Sequence, residues 1–394
     1  MFTQQERHEV IEFTKQLIAI PSESSRESDV ANAIRHKMIE LGYDDAWIDE
    51  MGNVVGRVGT GDGPSVLFDG HIDTVGVTDP TNWKHDPYGG AVESGRIYGR
   101  GSSDMKGSIA AMVYAAAKLV EKRNTMKGTV YVSGTVLEEC IEGPGLEKVA
   151  LAVKPDYVVI GESTSLNLAV GQRGRGEVVI ETIGKPAHSS SPEVGINAVE
   201  KMAEALPYIN KLEMPLDELL GRGLMVLTDI ISRPYPGVSV VPDLCRATFD
   251  RRLLVGETIE SVVQHVSGCL DALRKQDPEF EARVSIAQAD HSTYTGYSVK
   301  APKFAPAWKF EREHPLVRLS AQALRKAGIE FSIGAYAFCT NGSYSAGKLG
   351  IPTVGFGPGE ENQAHTIDES ISIDALLKAL DGYLAIASAV CDIE

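Results

Sequence analysis

The sequence predicts an α/β fold, a sheet covered by helices, with a compact α+β insert in its second half. Three observations predict it. The chain has 394 residues, long for a single core, so two domains are expected. Short apolar runs that read as buried strands mix throughout with stripes of helical period. Around residues 177–292 four strand-like runs are interspersed with two helical ones. The insert is therefore placed at 177–292, and residues 1–176 and 293–394 form the two parts of the other domain.

Taken in order, Gln4–Ala19 carries Val10, Ile11, Phe13, Leu17 and Ile18 on a helical stripe that Pro21 ends. Ser28–Leu41 repeats the pattern with Val30, Ile34 and Met38, and Gly42 reads as its C-cap. Trp47-Ile48, Val54–Val58 and Val66–Phe68 read as strands, Gly107–Lys122 as a helix of small residues, and Thr129–Val136 and Tyr157–Ile160 as strands. In the insert, strands are predicted at Glu177–Ile183, Leu224–Ile231, Leu244–Leu253 and Glu281–Ala289, and helices at Ala198–Ile209 and Thr258–Arg274. Ala301–Pro306 reads as the return connection. Helices at Pro315–Ala327 and Ile373–Val390 and a strand at Thr353–Phe356 complete the first domain.

A net charge of −16 with no Lys/Arg cluster argues against nucleic acid and anionic lipid as partners. No stretch is long and apolar enough to span a membrane, and Met1–His8 does not read as a signal peptide. Cys140, Cys245, Cys269, Cys339 and Cys391 are scattered without a CxxC pair, which favours reduced thiols and a cytoplasmic setting.

The chemistry centres on Asp69-Gly-His-Ile-Asp-Thr-Val75, which follows an apolar strand. Alternation puts Asp69, His71 and Asp73 on one side, and a His with a nearby carboxylate suits a metal ligand and its orienting partner. The competing reading is a polar strand end with His71 turned to solvent. Asp104, in Arg100-Gly-Ser-Ser-Asp-Met-Lys-Gly107, could bridge two cations, or Ser103 or Asp104 could simply cap the following helix. Glu138 and Glu139 close an apolar strand and point in different directions, so one can hold a metal while the other faces the reacting water. Glu162 follows Val158–Ile160 in the same way, and His365 lies in a polar loop beyond another strand. Strand ends of an α/β sheet are where such folds assemble sites. A His/carboxylate mix suits zinc or a similar divalent ion, with no thiolate involved.

With these residues in this order, the sequence resembles the dinuclear zinc amidohydrolases and metallopeptidases related to acetylornithine deacetylase, succinyl-diaminopimelate desuccinylase and carboxypeptidases. The resemblance covers nearly the whole chain. Ile20-Pro-Ser-Glu-Ser24, Met51-Gly-Asn-Val54, Asn82–Tyr88, Gly171–Arg175 and Ala305–Lys309 are similar to the selenium-metabolism-linked hydrolase branch. The resemblance implies a zinc-exopeptidase-like catalytic domain with a mixed sheet between helices, and a ferredoxin-like lid through which two copies form a homodimer. It implies two divalent ions, zinc foremost with cobalt or manganese fitting: His71 and Glu162 on one, Glu139 and His365 on the other, Asp104 between them. It further implies Glu138 as general acid/base, Asp73 as the group orienting His71, and a cis peptide after Asp104.

Within the insert, Gly184-Lys-Pro-Ala-His-Ser-Ser190 matches a lid motif whose His reaches the partner subunit's site, which gives His188 an oxyanion-stabilising role. Asp250-Arg-Arg252 matches a motif whose Arg binds the substrate carboxylate, although a salt bridge from Arg252 to Asp250 is the alternative. Two places depart from the family pattern, Ser239 before Val240-Val241-Pro242, and Cys339-Thr-Asn-Gly-Ser343. Both usually touch substrate, so Ser239 and Asn341 are placed with Arg252 as substrate-binding residues. The implied activity is cleavage of an amide bond in a small carboxylate-bearing substrate, either an N-acyl amino acid or a dipeptide. A binding protein without turnover and a two-metal phosphoesterase are the rivals.

Overall fold

The computed structural model describes residues 2–61 and 63–392. The chain forms two compact units, Met1–Gln172 with Asp290–Val299 and Trp308–Glu394, and Arg173–Ala289 with Lys300–Ala307. The second unit thus begins a few residues before 177, and the stretch 290–299 groups with the first unit. The return connection also takes part in the fold: Phe304–Ala305 pairs with the strand Gly174–Ile183. A Cβ at Gly174 would lie 2.3 Å from the Ala305 oxygen, so this glycine permits a close strand crossing.

The first unit is built on a nine-stranded mixed sheet. Its centre holds Thr129–Thr135, Ser65–His71, Tyr157–Ile160 and Thr353–Gly355, each parallel to its neighbour. Buried parallel strands read as continuous apolar runs because both faces are covered. Leu67, Val158 and Ile160 pack on Leu146 and Val149 of the helix Pro144–Val153. On strand Ser65–His71 the neighbouring Phe68 meets Tyr383 of the helix Ile373–Val390 at a ring distance of 5.5 Å. Tyr383 also stacks edge-on with Phe356 at 5.4 Å and donates its hydroxyl to the Phe356 carbonyl. Each such aromatic pair adds about 0.5–1.5 kcal/mol beyond the area it buries. Because the four central strands run the same way, their C-terminal ends, and the loops that follow them, emerge at one edge.

Sequence period missed several elements here, three of which pack on or extend the central strands. Pro144–Val153 is a helix that hides behind Gly143-Pro-Gly145, where Pro sits in its first turn. Leu168–Gln172 is a fully buried strand disguised by Gly171 and Gln172. Ile333–Tyr336 is a short strand pairing with it. The small-residue helix also ends early, at Ala117.

The second unit runs strand, helix, two strands, helix, strand, with all four strands antiparallel in the order Leu224–Arg233, Leu244–Leu253, Gly174–Ile183, Glu281–Ile286. That order is ferredoxin-like. Asn197 caps Ala198–Ile209 by accepting from the Val199 and Glu200 amides, and a Thr258/Ser261 capping box starts Ile259–Cys269. The helix predicted over 258–274 breaks at Leu270 into Ile259–Cys269 and Asp271–Gln276. The helices bury Met202, Ala205, Val262 and Val266 against Val178, Ile180, Ala247 and Phe249 of the sheet. The strand Leu224–Arg233 lies at the sheet edge and leaves Val226, Ile230 and Ile231 about half exposed.

Candidate metal centre

His71 is the last residue of its strand and is buried. Gly70 before it leaves room for Met105 and Ile109; a Cβ there would sit 2.5 Å from Met105 Cε. His71 Nδ1 donates to the Asp73 carbonyl at 2.9 Å, which leaves Nε2 facing Asp104 Oδ1 at 2.9 Å and Glu162 Oε1 at 3.5 Å. A carbonyl only accepts, so this bond fixes the ring tautomer. Against the cost of burial, the Glu162 and Asp104 carboxylates hold the imidazole pKa well above its ordinary value.

The orienting role expected of the Asp73 carboxylate falls instead to its backbone carbonyl. The carboxylate stands 3.6 Å from Nδ1 and is engaged elsewhere. Oδ1 accepts from the Glu138 amide, and Oδ2 from the Glu139 amide and the Ser24 hydroxyl. Asp73 therefore ties the His71 strand end to the segment carrying both glutamates.

Asp104 does not cap a helix. The helix starts at Gly107 with no side-chain cap, and the Asp104–Met105 peptide is cis. Its two carboxylate oxygens are divided between two histidines, Oδ1 to His71 Nε2 and Oδ2 to His365 Nε2 at 3.3 Å. Burial raises its pKa, but hydrogen bonds from His365 and His71 outweigh that and hold it below the usual carboxylate range. His365 is half exposed, has a left-handed backbone (φ 61°), and also meets Glu139 Oε2 at 2.9 Å. Hydrogen bonds to Asp104 and Glu139 push its pKa up to about 10.

Leu137, also left-handed at φ 64°, turns the chain after the strand. Glu139 then reaches His365, while Glu138 joins His71 and Glu162 with ligating atoms within 4.8 Å of one another. His71, Asp104 and Glu139 form a second such group. Burial and the charges of Glu162, Glu142 and Glu139 raise Glu138 well above the ordinary carboxylate pKa, against the pull of His71. Burial and Asp104 raise Glu162 to about 8.

Four carboxylates and two imidazoles thus share one largely buried cluster. Crowded like charges of this kind are relieved by bound cations, and the nitrogen and oxygen donors suit divalent ions of the zinc type. The fit is good: the carboxylates that repel one another are the groups a pair of cations would draw together.

Asn341 is not available to substrate. Its amide donates to Asp69 Oδ2 at 3.1 Å and Thr135 Oγ1 at 2.9 Å, and its oxygen accepts from the Gly143 amide at 2.7 Å. It is a buried brace between two strand ends and the start of the helix Pro144–Val153. The other three predicted residues belong to the second unit. Arg252 Nε pairs with Asp250 Oδ1 at 3.0 Å, and Arg175 Nε takes Oδ2 of the same carboxylate. His188 Nδ1 accepts from the Ser190 amide at 3.1 Å, which leaves the proton of the neutral ring on Nε2. The Ser239 carbonyl accepts from the Ser189 amide beside it. Sequence reasoning missed Glu369, whose carboxylate is wholly buried against the Asp104 loop. Its only signal was a second acidic residue shortly after His365 in an otherwise solvated-looking run.

Residues 67–389 match peptidase family M20/M25/M40. Among curated proteins, the chain is 36% identical over 382 residues to YgeY, an uncharacterized protein of Escherichia coli K12, covering 95% of this chain and 92% of that one. It is 29% identical over 339 residues to acetylornithine deacetylase of Vibrio vulnificus, covering 84% and 82%. Its fold matches the crystal structure of Bacillus subtilis YXEP, described as a dinuclear metal-binding peptidase of the M20 family, with a TM-score of 0.74 at 14% identity and full coverage of both chains. The family match over residues 67–389 shows that the chain belongs to peptidase family M20/M25/M40, as a metal-dependent hydrolase.

Proposed function

We propose that the protein hydrolyses the amide bond of a small, carboxylate-bearing N-acyl amino acid. One observation carries this reading: Glu138 lies buried with its carboxylate within 4.8 Å of the ligating atoms of His71 and Glu162, where it can take up a proton and release it again. In this reading His71 and Glu162 would hold one divalent ion and Glu139 and His365 the other, with Asp104 available to both. Zinc suits the donors best, and cobalt and manganese fit them. Ions held there would acidify a water and polarise the substrate carbonyl.

The remaining steps are assigned to side chains. Glu138 accepts the proton of the attacking water and delivers it to the leaving amine. Asp73 fixes the peptide that carries Glu138, through the two amide hydrogen bonds it accepts. His188 donates from Nε2 to the oxyanion of the tetrahedral intermediate. Arg252 pairs with the substrate carboxylate in exchange for part of its contact with Asp250. The Ser239 carbonyl steadies the loop beside His188. Two copies associate through their second units; the apolar edge strand Leu224–Arg233 supports this, since such edges invite pairing. The scattered cysteines, without a CxxC pair, favour the cytoplasm.

Dipeptide or carboxy-terminal peptide cleavage is the second reading, supported by the fold match to a peptidase. Primary-amine release from a panel of N-acyl amino acids and dipeptides decides between them. The protein is stripped of metal and reloaded with zinc, cobalt or manganese, with Glu138→Gln as control. Release from N-acyl substrates that needs metal and vanishes in Glu138→Gln supports deacylation. Release confined to free-amine dipeptides replaces it with peptidase activity, and release from neither by metal-loaded protein removes both.

A further inference from the structure

The loop that carries Asp104 cannot hold itself. Gly101 is left-handed, and Asp104 and Met105 lie outside helical geometry. The backbone amides of 101, 103 and 104 are therefore left without ladder partners, and buried amides require some partner. All three find the same one. Glu369 Oε1 accepts from the Ser103 amide at 2.9 Å and the Asp104 amide at 3.1 Å. Its Oε2 accepts from the Gly101 amide at 3.1 Å and from Arg100 Nη1 at 2.7 Å.

The same short segment, 365–369, also bears His365, which touches the Asp104 side chain. Asp368 Oδ1 accepts from the Lys84 and His85 amides, tying in the Asn82–Tyr88 motif. Trp83 of that motif lies 5.2 Å from the Arg100 guanidinium, ring centre to Cζ. The Gly99 amide bonds the Glu369 carbonyl, and Ser370–Ser372 continues as a strand paired with Arg96–Tyr98. Two loops bearing two members of the cluster are thus joined side by side, with a buried carboxylate at the join.

We infer that Glu369, braced by Arg100 and Trp83, is a positioning residue that sets Asp104 in register with His365 for metal binding. The inference rests on the metal-centre reading above. Glutamine is a sharp probe: whichever way its amide turns, an NH2 group faces two N–H donors, so one side of the clamp opens. Displaced partners of metal ligands typically cost about 10–100-fold in metal affinity.

The test uses the full chain, with zinc affinity from competition against a chromophoric chelator and the visible spectrum of the cobalt-loaded protein. Glu369→Gln is expected to bind at least one zinc ion about 10–100-fold more weakly and to shift the cobalt bands. Arg100→Lys is expected to move both in the same direction by less. Met202→Ala, in the core of the second unit, loses stability but keeps wild-type zinc affinity, which separates positioning from general destabilisation. Folded Glu369→Gln with wild-type affinity and cobalt bands overturns the inference. Should Glu369→Gln fail to fold, Arg100→Lys decides on the same two readings. Wild-type protein that takes up neither ion removes the metal-centre reading, and this inference with it.

Discussion

The first unit encloses Asp69, His71, Asp73, Asp104, Glu138 and Glu369 among its buried side chains, while the second packs Val178, Ile180, Met202, Phe249, Val262 and Val266. The second unit buries Arg251 but gathers exposed apolar side chains on one strand, Leu224–Arg233, whereas those of the first unit, such as Ile39, Val92 and Leu151, are scattered. Buried carboxylates are costly to hold, and exposed aliphatic residues gain nothing from water. Each unit therefore shows its working surface where it departs from ordinary burial: charge inside the first, apolar surface outside the second. If that contrast is right, cutting the polar interior of the first unit changes chemistry more than stability, and cutting the apolar interior of the second does the reverse.

The largest effect expected is on chemistry. Glu138→Gln should lower amine release by about 10²–10⁴, the usual worth of a positioned acid/base. Its metal-free form should be no less stable in urea than wild type, because a carboxyl raised by burial and three neighbouring carboxylates disfavours the folded state when ionised. A large drop in the urea midpoint would show that Glu138 supports the fold, and the contrast would fail. The mirror experiment is Met202→Ala. It should cost about 2–5 kcal/mol in urea unfolding, as buried methionine truncations do, while the zinc titration stays at wild type.

The same contrast explains what could be read from the sequence. The strands that carry the site were legible because buried parallel strands are unbroken apolar runs, and the acidic and His residues stand immediately beyond them. Elements with mixed period, such as Leu168–Gln172 and Pro144–Val153, were not legible, because Gly and Pro inside them carry packing information that pattern alone reads as a break. The cluster members were named correctly as neighbours, yet the supports were not. The sequence assigns Asn341 to substrate because that place in the family pattern usually touches substrate, and only the three hydrogen bonds it makes show it is a brace. Asp73 illustrates the same limit: a sequence names the residue, but not whether its carbonyl or its carboxylate does the orienting.

A smaller effect is expected at Glu27, a buried carboxyl near the site that is placed in none of its roles. Its Oε1 accepts from the Ser25 and Leu137 amides, and burial followed by repulsion from Asp73 raises its pKa to about 7. The folded state then binds a proton that the unfolded state has released between roughly pH 4.5 and 7. Its contribution is full below that window and is lost as pH rises through it. Glu27→Gln, which keeps an accepting oxygen, should remove this loss. The variant should gain on wild type between pH 5 and 8 by on the order of 1–3 kcal/mol, given about 1.4 kcal/mol per pKa unit. Parallel stability curves for the two metal-free proteins across that range would show that Glu27 is already ionised in the fold.

The smallest effect on stability should fall on the exposed edge. Ile230 and Ile231 are each 48% exposed on the strand Leu224–Arg233. Ile231→Lys removes little buried surface, so urea unfolding of the separated chain should move by no more than about 0.5 kcal/mol. A lysine on an edge strand nevertheless opposes pairing with a second strand, because joining the edges would strip water from the ammonium group. Light scattering at micromolar concentration should therefore show wild type as a dimer and Ile231→Lys shifted toward monomer. If His188 serves the partner subunit, amine release should fall with the dimer fraction and recover as protein concentration is raised. A wild-type monomer would reject this edge as an interface, and a monomeric variant with full activity would confine His188 to its own subunit or to no catalytic role.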